Sequence, residues 1–148
     1  MDTLKNFLSG TIHTVSESSL VQDAVDKFNS DQATACLVEK EGEFIGIITR
    51  EDIIQKIIGK RDPKTTPTVD VMSSPIYTVD ISMSKAEACL KISDQRRQHL
   101  VVEENGSIKG IVSVRDLVPK ELWSTSTTGA ELFSKVGEYG EQLLKDEN

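Results

Sequence analysis

The chain has 148 residues and a formal net charge of −7, with 37% hydrophobic and 28% charged residues. That length supports one compact domain, or two small subdomains that share a core, and the composition is ordinary for a globular protein. The acidic balance argues against general nucleic-acid binding, which needs a basic face to neutralise phosphates. It does not exclude a single nucleotide, because one phosphate group needs only a few local donors.

The sequence shows no targeting or membrane segment. No apolar run approaches the roughly 20 residues that a membrane-spanning helix needs, and the N-terminus has no basic region followed by an apolar one. We therefore expect a cytoplasmic protein without a membrane partner. Cys36 and Cys89 lie in apolar-patterned segments, which favours buried thiols over a disulfide.

The chain repeats itself at an offset of 64 residues, without a gap. The identical pairs include Thr14 and Thr78, Val38 and Val102, Gly42 and Gly106, Gly46 and Gly110, and Asp52 and Asp116. Repeats of this kind fix the architecture of a chain. Since only two copies are present, the pattern favours a pseudo-twofold pair over a solenoid.

Each copy predicts the same order of elements: a short strand, an amphipathic helix, two strands around a Gly-containing turn, and a closing helix. Asn105-Gly106 is among the strongest hairpin signals. The strands are predicted at Ile12–Val15, Cys36–Glu39, Phe44–Ile48, Ile76–Val79, Leu100–Glu103 and Ile108–Val112. We therefore predict a mixed α/β (α+β) fold of two β-α-β-β-α units.

The two copies are predicted at residues 4–60 and 69–120, joined by a linker at residues 61–68. The linker belongs to a polar, proline-bearing stretch. The repeat fades after Pro119, and residues 121–148 are predicted as a Ser/Thr linker followed by an amphipathic helix.

The C-terminal helix is predicted from one apolar face. Leu132, Val136 and Tyr139 recur at helical spacing, whereas Gly137 and Gly140 weaken the helix intrinsically. This helix could pack on its own domain, or it could bind a second subunit or another protein.

Each copy places a hydroxyl and a carboxylate where its last strand meets its closing helix, as Thr49 with Asp52 and as Ser113 with Asp116. Ser/Thr-x-x-Asp at such a junction is a helix-capping pattern that needs no ligand. The same corner offers N–H groups that suit a phosphate and a carboxylate that matches the two O–H donors of a ribose diol. The residues alone leave both interpretations open.

Longer stretches around these corners resemble the CBS (cystathionine-β-synthase) domain family. Residues 69–79 resemble the opening of a CBS repeat, residues 99–117 resemble its hairpin and closing helix, and residues 42–53 match less strictly. The resemblance implies two repeats packed through their sheets, with two clefts that bind AMP, ADP, ATP, S-adenosylmethionine or related adenosyl compounds in many members. It also implies a homodimer.

The resemblance further implies a set of ligand contacts. Asp52 and Asp116 would contact ribose, and Thr49 and Ser113 would contact phosphate or ribose. The other implied contacts, to adenine, to the base pocket and to phosphate, are Thr11, Ile12, His13, Ile48, Ser74, Ile76, Tyr77, Arg97, Val112 and Arg115.

The two copies depart from each other at the phosphate side. The second copy has Arg96 and Arg97 before its middle strand, where the first has Gln32 and Ala33. We therefore expect two unequal pockets with at most one strong phosphate site, for which Arg97 is the preferred partner. The isolated histidines do not form a metal-binding pattern.

The expected function is a regulatory module that binds an adenosine-containing ligand as an effector, requires no cofactor and signals to an unidentified protein. The sequence has no nucleophile–base motif, no Gly-rich phosphate loop and no metal cluster, so we do not expect an enzyme. The alternative is a ligand-independent dimerisation or partner-binding scaffold whose corners are helix caps only.

Overall fold

The computed structural model describes residues 2–8 and 11–147, so that residues 9, 10 and 148 of the predicted segments lie outside the described residues. The described chain forms two compact units, one of residues 11–77 and one of residues 2–8 with 78–147. Each unit contains a three-stranded sheet. The predicted mixed fold with a C-terminal helix is confirmed.

The first unit follows the predicted β-α-β-β-α order. Its elements are β1 (Thr14–Ser16), α1 (Val21–Ser30), β2 (Ala35–Lys40), β3 (Glu43–Thr49) and α2 (Arg50–Asp52), which continues as a π-helical turn (Ile53–Ile57). β1 pairs in parallel with β2, and β2 pairs antiparallel with β3. The hairpin turn places Glu41 and Gly42 at positive φ, 50° and 83°, which explains the glycine at this turn.

One face of this sheet packs against α1. The buried cluster consists of Val15, Val21, Ala24, Cys36, Val38, Ile48, Ile57 and Val71. The alternation of side chains along β3 sends Ile48 inward. Burial raises the pKa of the Cys36 thiol to about 11, in keeping with a buried, unpaired cysteine.

The predicted linker covers the start of α1. The Val21 N–H donates to the Thr66 carbonyl and the Gln22 N–H donates to the Pro63 carbonyl, both at 2.9 Å. These bonds satisfy N–H groups that a helix start leaves without an intrahelical partner. Thr68 is fully buried, so the polar stretch is a packed part of the first unit.

The second unit repeats the same order and adds two helices. Its elements are β4 (Thr78–Asp80), α3 (Lys85–Gln95), β5 (His99–Glu104), β6 (Ser107–Ser113), α4 (Val114–Leu117), α5 (Lys120–Ser124) and α6 (Gly129–Glu147). The pairing repeats at the same offset of 64, since Ala35 pairs with Thr49 in one sheet and His99 with Ser113 in the other. The duplication is therefore preserved in strand register as well as in sequence.

Each unit also contains a short segment from the far end of the sequence repeat. Met72 packs over Gly46 in the first unit, and Leu8 packs over Gly110 in the second, where an added Cβ would lie 3.0 Å from the leucine. Leu4 is fully buried in the second unit. Both glycines therefore make room for a crossing segment on the outer surface of a strand.

The C-terminal helix α6 packs along α3 of its own unit. Val136 is fully buried, and Gly140 approaches α3 so closely that a Cβ there would lie 3.1 Å from the Ala86 carbonyl oxygen. The glycine that weakens the helix intrinsically thus permits its contact with α3. No helix in the described ranges is long and apolar enough to span a bilayer.

Candidate functional site

Both predicted corners are formed, with the same geometry. The Thr49 N–H and hydroxyl donate to Oδ2 of Asp52 at 2.8 and 3.1 Å, and the Ser113 N–H and hydroxyl donate to Oδ2 of Asp116 at 2.8 and 3.1 Å. Thr49 and Ser113 are extended, and the helix begins at the next residue. Each corner therefore fixes its carboxylate through one oxygen, as a capping residue does.

The two carboxylates differ in their second oxygen. Oδ1 of Asp52 lies 3.1 Å from Nζ of Lys56, and the same ammonium donates to the Val71 carbonyl at 2.9 Å. Asp52 is only 9% exposed, whereas Asp116 is exposed. Within the described residues, all hydrogen bonds to the Asp116 carboxylate end on Oδ2.

Lys56 was not among the predicted site residues. The sequence carried a signal for it, because Asp52 and Lys56 stand four residues apart on a predicted helix and such pairs meet on a helix face. Its second bond, to a backbone carbonyl 15 residues later, has no signal in the sequence.

Residues 11–13 reach the same end of the sheet as the first corner. The Leu37 N–H donates to the His13 carbonyl at 2.9 Å, just before β1 begins, and the neighbouring Ala35 pairs with Thr49. The structure therefore brings the predicted Thr11, Ile12 and His13 towards Thr49. Ile48, predicted to line the base pocket, is fully buried.

Residues 74–77 leave the first unit along the outer edge of β3. Ser73 exchanges two backbone hydrogen bonds with Ile47, at 3.0 and 2.9 Å, which places the exposed Ser74 beside that strand. Ile76 and Tyr77 are half-buried and lead directly into β4. Their contact with adenine stays a prediction.

Arg97 lies on the connection from α3 to β5, at the end of the sheet where Ser113 pairs with His99. It is exposed, and its Nε donates to the Gln95 side chain at 2.9 Å. The placement near the second corner agrees with the predicted phosphate role, which stays a prediction. Val112 is fully buried beside Ser113.

Arg115 stacks on an aromatic ring. Its guanidinium carbon lies 4.7 Å from the centroid of Trp123, at cation–π distance. Trp123 stands on α5, beyond the repeat, so the comparison of the two copies could not reveal it. It is the only tryptophan of the sequence, which makes it a fluorescent reporter next to the second corner.

The surface also carries clefts on the helical sides of the units. One of about 530 Å³ is lined by residues that include Glu87 and Gly137, and one of about 540 Å³ by residues that include Asp23 and Asp31. Neither cleft is lined by a predicted ligand residue. The candidate site therefore consists of the two corners.

Comparison with known proteins identifies the repeats. The CBS domain model matches residues 4–59 and 69–120. The uncharacterized protein MK0525 of Methanopyrus kandleri is 32% identical over 98 residues, or 65% of this chain and 50% of that protein, so the chain spans half the length of this relative.

Two solved structures share the fold. The CBS domain protein NE2398 superposes with a TM-score of 0.72 at 27% identity, over 79% of this chain and 95% of that one. CBSX2, solved in complex with AMP, superposes with a TM-score of 0.65 at 21% identity, over 85% of this chain and 100% of that one. The chain belongs to the CBS domain family and carries two copies of the domain.

Proposed function

We propose that the chain is a regulatory module that binds an adenosine-containing ligand, such as AMP, ADP, ATP or an S-adenosylmethionine-like compound, and catalyses no reaction. The observation that carries the proposal is the held carboxylate of Asp116, whose Oδ2 is fixed by Ser113 while the residue stays exposed. A carboxylate oxygen accepts two hydrogen bonds, and a ribose diol donates two. The AMP bound to CBSX2, a protein of the same fold, supports this ligand class.

The remaining contacts follow the predicted scheme. Arg97 would pair with a phosphate, since an arginine forms charge-assisted hydrogen bonds to phosphate oxygens, and residues 11–13 and 74–77 would contact adenine. Such a module regulates only if its ligand prefers one conformation over another. An unidentified partner protein would read that change in the cytoplasm.

We also propose a homodimer. The large apolar side chains that are exposed among the described residues are Leu20, Ile54, Ile58 and Val69, and all four lie in the first unit. A second subunit would remove such groups from water. Light scattering coupled to size exclusion should then give about twice the chain mass of 16.3 kDa, and a monomer mass at high micromolar concentration would contradict the dimer.

The test of ligand binding is a thermal-shift panel with adenosine, AMP, ADP, ATP, NAD and S-adenosylmethionine. A ligand at 100 times its Kd stabilises the protein by about 2.7 kcal/mol. The fluorescence of Trp123 gives a second readout beside the second corner. Guanosine monophosphate controls for the base, and 2′-deoxy-AMP controls for the diol, because it lacks one of the two donors assigned to the carboxylate.

The proposal fails if millimolar concentrations of all these compounds leave the melting temperature and the fluorescence unchanged. Equal binding of AMP and 2′-deoxy-AMP would remove the ribose assignment. Conversion of a bound nucleotide by the purified chain would contradict a purely regulatory role.

The alternative is a ligand-independent scaffold. The first corner favours it locally, because Asp52 is 9% exposed and its two oxygens already accept bonds from Thr49 and Lys56. A scaffold predicts a dimer whose mass and stability do not depend on any adenosine compound.

A further inference from the structure

We propose that Lys56 closes the corner of the first unit, so that each chain binds one adenosine ligand, at Asp116. The inference rests on the proposed function and names which of the two duplicated corners performs it. Its basis is the ion pair between Lys56 and Asp52, which has no counterpart among the described residues of the second unit.

The hydrogen-bond capacity of the two carboxylates differs. A carboxylate has about four acceptor positions, two on each oxygen. In both corners Oδ2 accepts two bonds, from Thr49 or from Ser113. The ammonium of Lys56 occupies one position on Oδ1 of Asp52, so that this oxygen cannot accept both hydroxyls of a ribose diol.

Displacing Lys56 would be costly. The ammonium is held at two points, by Asp52 at 3.1 Å and by the carbonyl of the buried Val71 at 2.9 Å. Hydrogen bonds to an ionised donor are roughly twice as strong as neutral ones. A neutral ribose hydroxyl therefore competes poorly for Asp52, which is itself largely withdrawn from solvent.

The second unit keeps the lysine in sequence but not in space. Lys120 stands 64 residues after Lys56, yet the residue before it is Pro119 instead of Gln55. Proline has no N–H and disfavours a helical conformation of the residue before it. Val118 is extended, with φ −116° and ψ 154°.

The consequence is a different end to the closing helix. α4 stops at Leu117, and Lys120 begins a separate helix. In the described part of the chain, Lys120 forms no ion pair with Asp116. In the first unit the helical turns run on to Ile57 and keep Lys56 one turn from Asp52.

The experiment is a titration calorimetry series with AMP on the full chain. Wild type should bind one AMP per chain, Asp52→Asn should bind it with unchanged affinity, and Asp116→Asn should bind it about 10- to 100-fold more weakly, as expected for the loss of charged hydrogen bonds. Lys56→Met removes the ammonium and retains an apolar stem, so its stoichiometry should rise to two.

The matched control is Lys60→Met. Lys60 lies in the same segment, but its Nζ donates to the Gln55 carbonyl and not to Asp52, so this variant should still bind one AMP. The Trp123 signal should be the same in wild type and Lys56→Met, because the added site lies at the other corner.

A readout without ligand separates this inference from the proposed function. Carbodiimide labelling with mass spectrometry should modify Asp116 readily, should modify Asp52 slowly, and should reach Asp52 faster in Lys56→Met. Equal labelling of both acids in wild type overturns the inference, as does a wild-type stoichiometry of two or a loss of binding in Asp52→Asn alone. Unequal labelling without AMP binding in any variant would instead refute the proposed function.

Discussion

The first helices of the two units, α1 and α3, occupy the same place in the repeat but have different surroundings. α1 buries only Val21 and Ala24, as an amphipathic helix with one solvent face does. α3 buries residues on two sides, because α6 covers its outer face. The duplication thus preserved the face of the helix that packs on the sheet and changed the face that points away from it.

The outer faces explain why α6 packs on α3. α6 meets Ala86 and Cys89, whose small side chains allow a close approach. The positions 64 residues earlier hold Gln22 and Val25, and the Gln22 amide donates to the Asp26 carboxylate at 2.8 Å on the exposed surface. A helix docked there would take these polar groups out of water at a cost.

The largest expected effect on stability comes from filling the closest contact between α3 and α6. In Gly140→Val the new Cβ would lie 3.1 Å from the Ala86 carbonyl oxygen and 3.1 Å from Cys89 Cβ, and the backbone oxygen cannot rotate away. We expect a loss of about 3 kcal/mol in the free energy of unfolding, as for an overpacked core. Urea denaturation followed by circular dichroism measures it.

The matched control is Ser134→Val, which introduces the same side chain at an exposed position of the same helix. It should change the free energy of unfolding by less than about 0.5 kcal/mol, as ordinary surface substitutions do. Equal effects of the two substitutions would show that the approach of Gly140 to α3 does not stabilise the fold.

The next prediction compares the two glycines under the crossing segments. In Gly46→Ala the Cβ would collide with the Met72 sulfur and lie 3.0 Å from the Ser73 carbonyl oxygen, whereas in Gly110→Ala it would meet only the Leu8 side chain, at 3.0 Å. A side chain can shift, but Ser73 is fixed by its strand pairing. We expect a loss of about 1–2 kcal/mol for Gly46→Ala.

Gly110→Ala should cost less than Gly46→Ala, and the difference between their melting temperatures measures the asymmetry of the two units. If Gly110→Ala proves the more destabilising, the two crossing segments do not differ in the way that their contacts indicate.

Local patterns predicted the sheets well. The strands around the two hairpin turns differ from their predicted bounds by one residue at each end, because Gly42 and Gly106 fix the turns and the apolar alternation fixes the register. The Thr49 and Ser113 corners were also predictable, since a capping pattern depends only on residues close in sequence.

Contacts between distant residues were not predictable from one sequence. The repeat boundaries gave no sign that Leu4 and Leu8 pack in the unit of residues 78–147. Gly137 and Gly140 indicated a weak helix, and only the neighbouring α3 shows that they are contact positions. The repeat also concealed the difference between Lys56 and Lys120, because it depends on how Pro119 redirects the backbone.

The smallest predicted effect concerns the start of α6. The Thr127 hydroxyl and N–H donate to the Glu131 carboxylate, at 2.7 and 3.0 Å, and Lys135 lies 2.9 Å from it. These bonds lower the pKa of Glu131 from its ordinary value of 4.5 to about 2. Because the folded pKa is lower than the unfolded one, the contribution to stability is present above about pH 4.5 and is lost as the pH falls towards 2.

The amide shift of Thr127, followed by NMR as the pH is lowered, should therefore show a midpoint near 2, and this transition should be absent in Glu131→Gln. A midpoint near 4.5 would show that Thr127 does not hold the carboxylate in solution. The effect on global stability should be small, because these bonds fix only the first turn of α6, whereas its attachment to the second unit depends on the contacts of Val136 and Gly140 with α3.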